Sequence, residues 1–187
     1  MEIILASASP RRKELMGHFP FSFTVRVSQA DEKMDDLCLP QDEVARISYL
    51  KANAVARTKD DIVIGADTIV VCDGVILGKP KNEEDAFRML TMLSGRAHQV
   101  MTGVTLLQGD RRHSFTEITD VYFRPLCKEE ILSYIHSGDP MDKAGAYGIQ
   151  SGASLFVEKI VGDYYNVVGL PVCHLSQVLK EFMEETL

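Results

Sequence analysis

The chain has 187 residues, of which 45% are hydrophobic, so it is long enough to bury a core without disulfide or metal staples. Its 20 Lys and Arg residues against 27 Asp and Glu residues give a formal net charge of −7, which disfavours a broad nucleic-acid-binding face. The apolar runs are all shorter than the ~18 residues that a membrane span requires. We therefore expect neither a nucleic-acid partner nor a membrane partner.

The cysteines are scattered along the chain and form no Cys-x-x-Cys pair, at Cys38, Cys72, Cys127 and Cys173. This spacing favours reduced, mostly buried thiols over a disulfide framework or a structural metal. The sequence opens with Met1-Glu2-Ile3 and lacks the basic n-region of a signal peptide. We expect a cytoplasmic protein.

The first segment, Ile3 to Ala6, predicts a strand that leads through a tight turn into a helix. Ser9 can cap this helix, and Pro10 suits its first position because the missing N–H would have no intrahelical partner there. Arg11 and Arg12 then lie in the first turn, where cations oppose the helix dipole. Two such arginines indicate an anion, most naturally a phosphate, although solvated surface arginines are the alternative.

Two strands and a helix are predicted next. Residues 21–27 alternate apolar and polar, which predicts a half-buried strand, and residues 28–39 read as an acidic loop. Helical spacing begins at Pro40 and continues to near Thr58. Residues 61–71 form an almost continuous apolar run that predicts a buried strand. A carboxylate and a hydroxyl interrupt this run, and burying them is costly enough to suggest a function.

Asp73-Gly74 predicts a hairpin whose returning strand leads to Lys79. Asn82 can cap the following helix, which Gly95 is expected to end. Arg111 and Arg112 are interpreted as solubilising residues of a second hairpin. The other predicted elements are strands at 100–107 and 114–123, a helix at 126–135, an irregular segment at 138–152, a strand at 155–160, a connector at 167–169 and a helix from Pro171.

Charged residues of both signs stand near the ends of predicted elements: the cations Arg11, Arg12, Lys51 and Lys79, and the carboxylates Glu32 and Asp67. Cleavage of a phosphoanhydride requires cations that neutralise the phosphoryl oxygens, a divalent metal and a carboxylate that activates water. A lysine on a helix such as Lys51 is otherwise usually solvated. The spacing alone does not bring these segments together.

Six motifs occur along the chain, at residues 6–15 (ASASPRRKEL), 65–68 (GADT), 78–80 (GKP), 93–100 (LSGRAHQV), 142–150 (DKAGAYGIQ) and 168–171 (VGLP). Their order and approximate spacing resemble those of the Maf or Maf-like nucleoside triphosphate pyrophosphatases, and the match runs from residue 5 to residue 172. The resemblance implies an α/β protein with an elongated, mixed, twisted sheet flanked by helices and two lobes around a central cleft. We treat residues 1–187 as a single Maf-like domain.

The same resemblance implies hydrolysis of a nucleoside triphosphate to a monophosphate and pyrophosphate, with a divalent cation, Mg²⁺ or Mn²⁺, as cofactor. It also implies a homodimer and cytoplasmic residence. Asp67 followed by Thr68, together with Gln150, resembles the branch that acts on dTTP and UTP. A sister branch, which prefers 7-methyl-GTP, has Gln and Glu at these two positions.

The chemistry of Gln150 agrees with this branch. A Gln amide accepts from N3–H and donates to O4 of uracil or thymine, whereas a carboxylate only accepts and suits the edge of guanine. The segment at 151–154 (SGAS) departs from the family's more glycine-rich continuation. This departure leaves the fine base selectivity open.

The resemblance also implies a role for each site residue. Asp67 is the general base or metal-linked carboxylate and Glu32 is a metal ligand. The triphosphate clamp consists of Arg12, Lys51 and Lys79, and the specificity residues are Arg11, Thr68 and Gln150. Ser7 is assigned to phosphate binding through its hydroxyl, but it is also the kind of small residue that a tight turn requires. His98 is interpreted as structural.

Two other functions remain open at this point. The first is a nucleotide-binding regulator of cell division that does little chemistry, although a buried carboxylate such as Asp67 would repel the ligand of a pure binder. The second is a pyrophosphatase of inosine or other noncanonical nucleotides.

Overall fold

The computed structural model describes residues 1–34, 38–55 and 57–184. Seven strands make up one sheet in the order β2-β1-β3-β5-β6-β7, with β4 paired to β3. The strands are β1 (Ile3–Ala6), β2 (Thr24–Val25), β3 (Ile62–Cys72), β4 (Val75–Leu77), β5 (Ala97–Gln108), β6 (Arg111–Phe123) and β7 (Val157–Val161). Strand β1 runs parallel to β2 and β3, whereas β4 is antiparallel to β3 and β7 to β6. The predicted mixed α/β sheet is confirmed.

The α-helices of the described chain are α1 (Pro10–Met16), α2 (Pro40–Asn53), α3 (Glu83–Leu93), α4 (Lys128–His136), α5 (Tyr164–Val168) and α6 (Val172–Glu184). Short 3₁₀ helices occupy Asp139–Asp142, Ala144–Ala146 and Gly152–Leu155 in the segment predicted to be irregular. Within the described part of the chain, every helix is too short or too polar to cross a membrane.

Local sequence signals act as predicted at three element ends. The Ser9 hydroxyl accepts the backbone N–H of Arg12 at 3.4 Å, and Pro10 takes the first position of α1. Asn82 Oδ1 accepts the backbone N–H of Asp85 at 2.8 Å and caps α3. In the hairpin between β3 and β4, Asp73-Gly74 has φ values of 50° and 76°, as expected for a type I′ turn.

Several sequence predictions were wrong in detail. Strand β2 contains only Thr24 and Val25, and both residues are exposed rather than half-buried. It lies at the edge of the sheet and pairs only with β1. Helix α2 ends at Asn53, well before Thr58. The predicted connector at 167–169 overlaps the end of the short helix α5. Residues 35–37 of the predicted acidic loop lie outside the described residues.

The two hairpin arginines also differ from their prediction. Both belong to β6 and cover aromatic rings instead of pointing only into solvent. The guanidinium carbon of Arg111 lies 4.2 Å from the ring centre of Phe182, and that of Arg112 lies 4.0 Å from the ring centre of Tyr49. These cation–π contacts tie the start of β6 to α6 and α2. The cysteines are not mostly buried either, since only Cys72 is.

The chain divides into two compact units. Unit 1 comprises residues 1–67, 102–117 and 169–187, and unit 2 comprises residues 68–101 and 118–168. Part of the core of unit 1 is a buried cluster from β1, α2, the residues just after α2, β3 and β5, formed by Ile4, Ala6, Ala52, Val55, Val63 and Leu107. Tyr49 packs against this cluster from α2.

Helix α2 lies unusually close to the strands beneath it, at two glycines of unit 1. A Cβ at Gly65 of β3 would lie 2.2 Å from the carbonyl oxygen of Ser48 and 2.7 Å from the nitrogen of Ala52. A Cβ at Gly103 of β5 would lie 2.5 Å from the carbonyl oxygen of Val44. The backbone of α2 therefore occupies the space that side chains at these two positions would need.

We predict that Gly65→Ala destabilises the protein by at least ~1–3 kcal/mol, because a close-packed interior must shift to admit the methyl group. The measurement is the free energy of unfolding in urea. Gly78→Ala is the matched control, since a Cβ at Gly78 meets nothing within 4 Å. Equal stability of the two variants would show that α2 can move away from β3 without cost.

Candidate active site

Asp67 and Lys51 form a buried ion pair in unit 1. Successive strand residues face opposite sides of a sheet, so Asp67 lies on the same face of β3 as Gly65. Helix α2 packs on that face at Gly65 and brings Lys51 beside the carboxylate. Lys51 Nζ lies 2.7 Å from Asp67 Oδ1, and each side chain is only 10% exposed. The geometry fixes the carboxylate in one orientation.

Glu32 reaches the same lysine from the loop before α2. Its Oε2 atom lies 3.0 Å from Lys51 Nζ, and 56% of its side chain is exposed. One ammonium group thus joins the two carboxylates that the sequence had singled out. Asp67 is the buried and fixed member of the pair, and Glu32 is the solvated one.

Arg12 is buried, and its guanidinium connects three parts of unit 1. Nε donates to the carbonyl oxygen of Gly169 at 2.8 Å, and Nη1 donates to that of Ala66 at 2.9 Å. Burial lowers the pKa of Arg12; Arg11 adds to this effect, whereas Asp67 and Glu32 oppose it. Arg12 therefore joins α1 to β3 and to the segment before α6. Its predicted role in binding triphosphate remains a prediction.

Ser7 and Arg11 both precede Arg12, Ser7 in the turn before α1 and Arg11 in the first turn of the helix. Ser7 is buried, and its hydroxyl accepts the backbone N–H of Ser9 at 3.2 Å and lies 3.5 Å from Arg12 Nη1. This contact supports the turn-forming interpretation of Ser7 and leaves its phosphate-binding role a prediction. Arg11 is half-buried.

The other predicted site residues belong to unit 2. Thr68 is half-buried on β3, and Lys79 is exposed just after β4. Gln150 is exposed in a tight turn between Gly148 and Ser151, in which the N–H of Ser151 donates to the carbonyl oxygen of Gly148 at 3.2 Å.

Unit 1 contains the remaining six site residues, Ser7, Arg11, Arg12, Glu32, Lys51 and Asp67. The structure brings Lys51, Glu32 and Asp67 into direct contact there. The sequence analysis missed the carbonyl groups of Ala66 and Gly169 that receive Arg12. Backbone acceptors leave no signal in residue type, although both residues lie in quoted motifs.

His98 has the character of a structural residue. It is 3% exposed, and its Nε2 atom lies 2.7 Å from the hydroxyl of Tyr147. Burial lowers the pKa of His98 to about 4, so the ring is neutral at neutral pH. Its Nδ1 atom is buried and has no hydrogen-bond partner among the described residues.

The two carboxylates beside Lys51 are oxygen ligands of the kind that a hard divalent cation prefers, but they are too few to hold one alone. No group of three or more His, Cys, Asp or Glu side chains that could hold a metal occurs among the described residues. Asp67 and Glu32 nevertheless offer two carboxylates, and both contact the ammonium group of Lys51. Mg²⁺ in phosphoryl-transfer enzymes is commonly held by one or two carboxylates together with substrate phosphates and water. The two carboxylates fit that kind of site.

Curated relatives match nearly the whole chain. A protein of Alkaliphilus metalliredigens (strain QYMF) named dTTP/UTP pyrophosphatase is 51% identical over 183 residues, which is 96% of this chain and 95% of the relative. A protein of Bacillus velezensis (strain DSM 23117 / BGSC 10A6 / LMG 26770 / FZB42) with the same name is 48% identical over 181 residues, 96% of each chain.

Among solved structures, a HAM1 protein from Coxiella burnetii matches 97% of this chain and 99% of its own, with a TM-score of 0.52 and 14% identity. At that identity the match shows a shared fold alone. The family model described as Maf-like protein matches residues 2–182. The chain therefore belongs to the Maf-like protein family.

Proposed function

We propose that this protein is a nucleoside triphosphate pyrophosphatase that converts dTTP and UTP to the monophosphate and pyrophosphate. The observation that carries the proposal is the buried Asp67 carboxylate, held 2.7 Å from Lys51 and joined through it to Glu32. The names of the curated relatives support the substrate assignment. The motifs and the net charge of −7 further lead us to propose a cytoplasmic homodimer without a nucleic-acid partner.

In this proposal Asp67 accepts a proton from the water that attacks the α-phosphorus. Lys51 holds Oδ1 of Asp67, so the other carboxylate oxygen is oriented without loss of conformational entropy during the reaction. Attack at this phosphorus breaks the bond between the α-phosphorus and the bridging oxygen. The β and γ groups then leave joined, as pyrophosphate.

Binding a triphosphate beside two carboxylates requires compensating cations. Arg11, Arg12 and Lys51 supply three of them in unit 1, and Arg and Lys both bind phosphate well. We assign Arg12, Lys51 and Lys79 to the triphosphate, Ser7 to a phosphate oxygen, and Arg11 to specificity. Lys79 rests on its motif alone.

Glu32 and Asp67 would hold the divalent cation, Mg²⁺ or Mn²⁺. When bound, such a cation neutralises charge on the phosphoryl oxygens and lowers the pKa of a coordinated water. The exposed side chain of Glu32 can adjust to the ligand, whereas Asp67 is held by Lys51. Thr68 and Gln150 are assigned to the base, where the Gln150 amide would pair with N3–H and O4 of a pyrimidine.

We predict that the purified protein releases pyrophosphate from dTTP and UTP in the presence of Mg²⁺ or Mn²⁺, and none after chelation with EDTA. Phosphorus NMR distinguishes pyrophosphate from orthophosphate among the first products. Orthophosphate as the first product would place the attack at the γ-phosphorus and contradict the mechanism. Preferred release from ITP would favour a pyrophosphatase of noncanonical nucleotides, and no release from any triphosphate would favour a nucleotide-binding regulator.

Asp67→Asn should lower kcat for UTP by ~10² to 10⁴, the usual contribution of a general base, while the protein stays folded. The substitution keeps the shape of the side chain but removes its charge and basicity. Asp110→Asn, at an exposed hairpin position, is the control and should retain full activity. Near wild-type turnover of the folded Asp67 variant would remove this residue from the mechanism.

Gln150→Glu should lower kcat/KM for UTP relative to 7-methyl-GTP by about 5- to 150-fold, the equivalent of ~1–3 kcal/mol for one mismatched polar contact. Glutamate keeps the length of glutamine but turns a second acceptor toward O4 of the pyrimidine. Gln177→Glu, on the exposed face of α6, controls for the added charge. An unchanged ratio in the Gln150 variant would show that this residue does not recognise the base.

A further inference from the structure

The turn that carries Gln150 is closed by a backbone hydrogen bond between its end residues. The backbone N–H of Ser151 donates to the carbonyl oxygen of Gly148 at 3.2 Å. The Ser151 hydroxyl lies 3.0 Å from the same oxygen. Gln150 stands between these residues, so its backbone position depends on how firmly they are held.

Both ends of the turn are attached to the same pair of side chains. The single proton of the Ser151 hydroxyl is donated to Asp139 Oδ2, in a short hydrogen bond. The hydroxyl of Tyr134 donates to the same Oδ2 atom at 2.5 Å and accepts the backbone N–H of Gly148 at 3.1 Å. We call Tyr134, Asp139 and Ser151 the turn clamp. It forms a closed ring with the backbone of Gly148.

The charges of the turn clamp suit these hydrogen bonds. Burial raises the pKa of Asp139, but hydrogen bonds from Ser151, Tyr134 and Lys143 outweigh this and leave it below its usual value. Lys143 Nζ lies 3.1 Å from Asp139 Oδ1 and balances the charge. Burial, with the hydrogen bond to Asp139, raises the pKa of Tyr134, so the phenol keeps the proton it donates. Hydrogen bonds to an ionised carboxylate are about twice as strong as neutral ones.

We infer that Ser151 is a positioning residue for base recognition, acting through Asp139 and Tyr134 to hold the turn that presents Gln150. The inference rests on the base-reading role proposed above for Gln150. A turn fixed in the free protein does not have to be ordered when the nucleotide binds.

The test uses the full-length protein with Mg²⁺ and two non-hydrolysable probes, α,β-imido-UTP and α,β-imido-GTP, with Kd measured by isothermal titration calorimetry. Ser151→Ala should weaken binding of the UTP analogue about 3- to 10-fold, the range of one lost hydrogen bond, and that of the GTP analogue less than about 2-fold. Ser151→Thr keeps the hydroxyl and should restore the wild-type Kd. Ser154→Ala removes an exposed serine of the same segment and should change neither Kd.

A double-mutant cycle with Gln150→Ala separates positioning from a general structural role. If Ser151 acts through Gln150, Ser151→Ala should have no further effect on the UTP analogue once Gln150 is alanine. Equal weakening of both analogues, or the same weakening in the Gln150→Ala background, would overturn the inference.

The Gln150→Ala variant alone also separates the two levels of the argument. If it leaves the ratio of the two Kd values unchanged, the base-reading role fails and the inference fails with it. If it changes the ratio and Ser151→Ala does not, only the inference fails. Lack of pyrophosphate release from UTP would contradict the proposed reaction and leave this binding result standing.

Discussion

The close approach of α2 to β3 at Gly65 is the constraint on which the candidate site depends. A side chain there would collide with the backbone of α2 at Ser48 and Ala52. Lys51 lies between those two residues in sequence, and Asp67 lies two residues beyond Gly65 on the same face of β3. The absence of a side chain at Gly65 therefore lets α2 approach β3 closely, and the ammonium and the carboxylate meet beside this contact. The packing of α2 on β3 and the proposed chemistry of Asp67 therefore both depend on Gly65.

Charge balance is the second organising feature of unit 1. Removing one partner of a buried ion pair is strongly destabilising when it leaves the other charge without a partner, whereas Lys51 has a second partner in Glu32. Here the buried Lys51 pairs with the buried Asp67, and Glu32 adds a second, solvent-exposed carboxylate to the same lysine. Arg12 donates from Nη1 to the carbonyl oxygen of Ala66 and from Nε to that of Gly169. The chain thus supplies a hydrogen-bond or ion-pair partner to each of these buried groups, and phosphate oxygens could take the place of some of these partners.

The sequence predicted those features that depend on local chemistry or on motifs. The caps at Ser9 and Asn82 and the hairpin at Asp73-Gly74 were correct because each follows from neighbouring residues. The length and burial of β2 could not be predicted, since alternation does not reveal whether another layer covers the strand. Arg12 binds backbone oxygens 54 and 157 residues away in sequence. The ring through Tyr134, Asp139 and Ser151 likewise depends on contacts between different local segments and on a backbone N–H. Such contacts exist only once the chain has folded.

Exposed cysteines in each of the two units make the protein suitable for site-specific labelling. Cys127 precedes α4 in unit 2 and Cys173 lies near the start of α6 in unit 1, and both are exposed, whereas Cys72 is buried within β3. Thiol-reactive dyes or spin labels react with accessible cysteines far faster than with shielded ones. After Cys38, the other exposed thiol, is replaced by serine, the variant carries one accessible attachment point in each unit. The signal of each label would then report on its own unit as nucleotide is added.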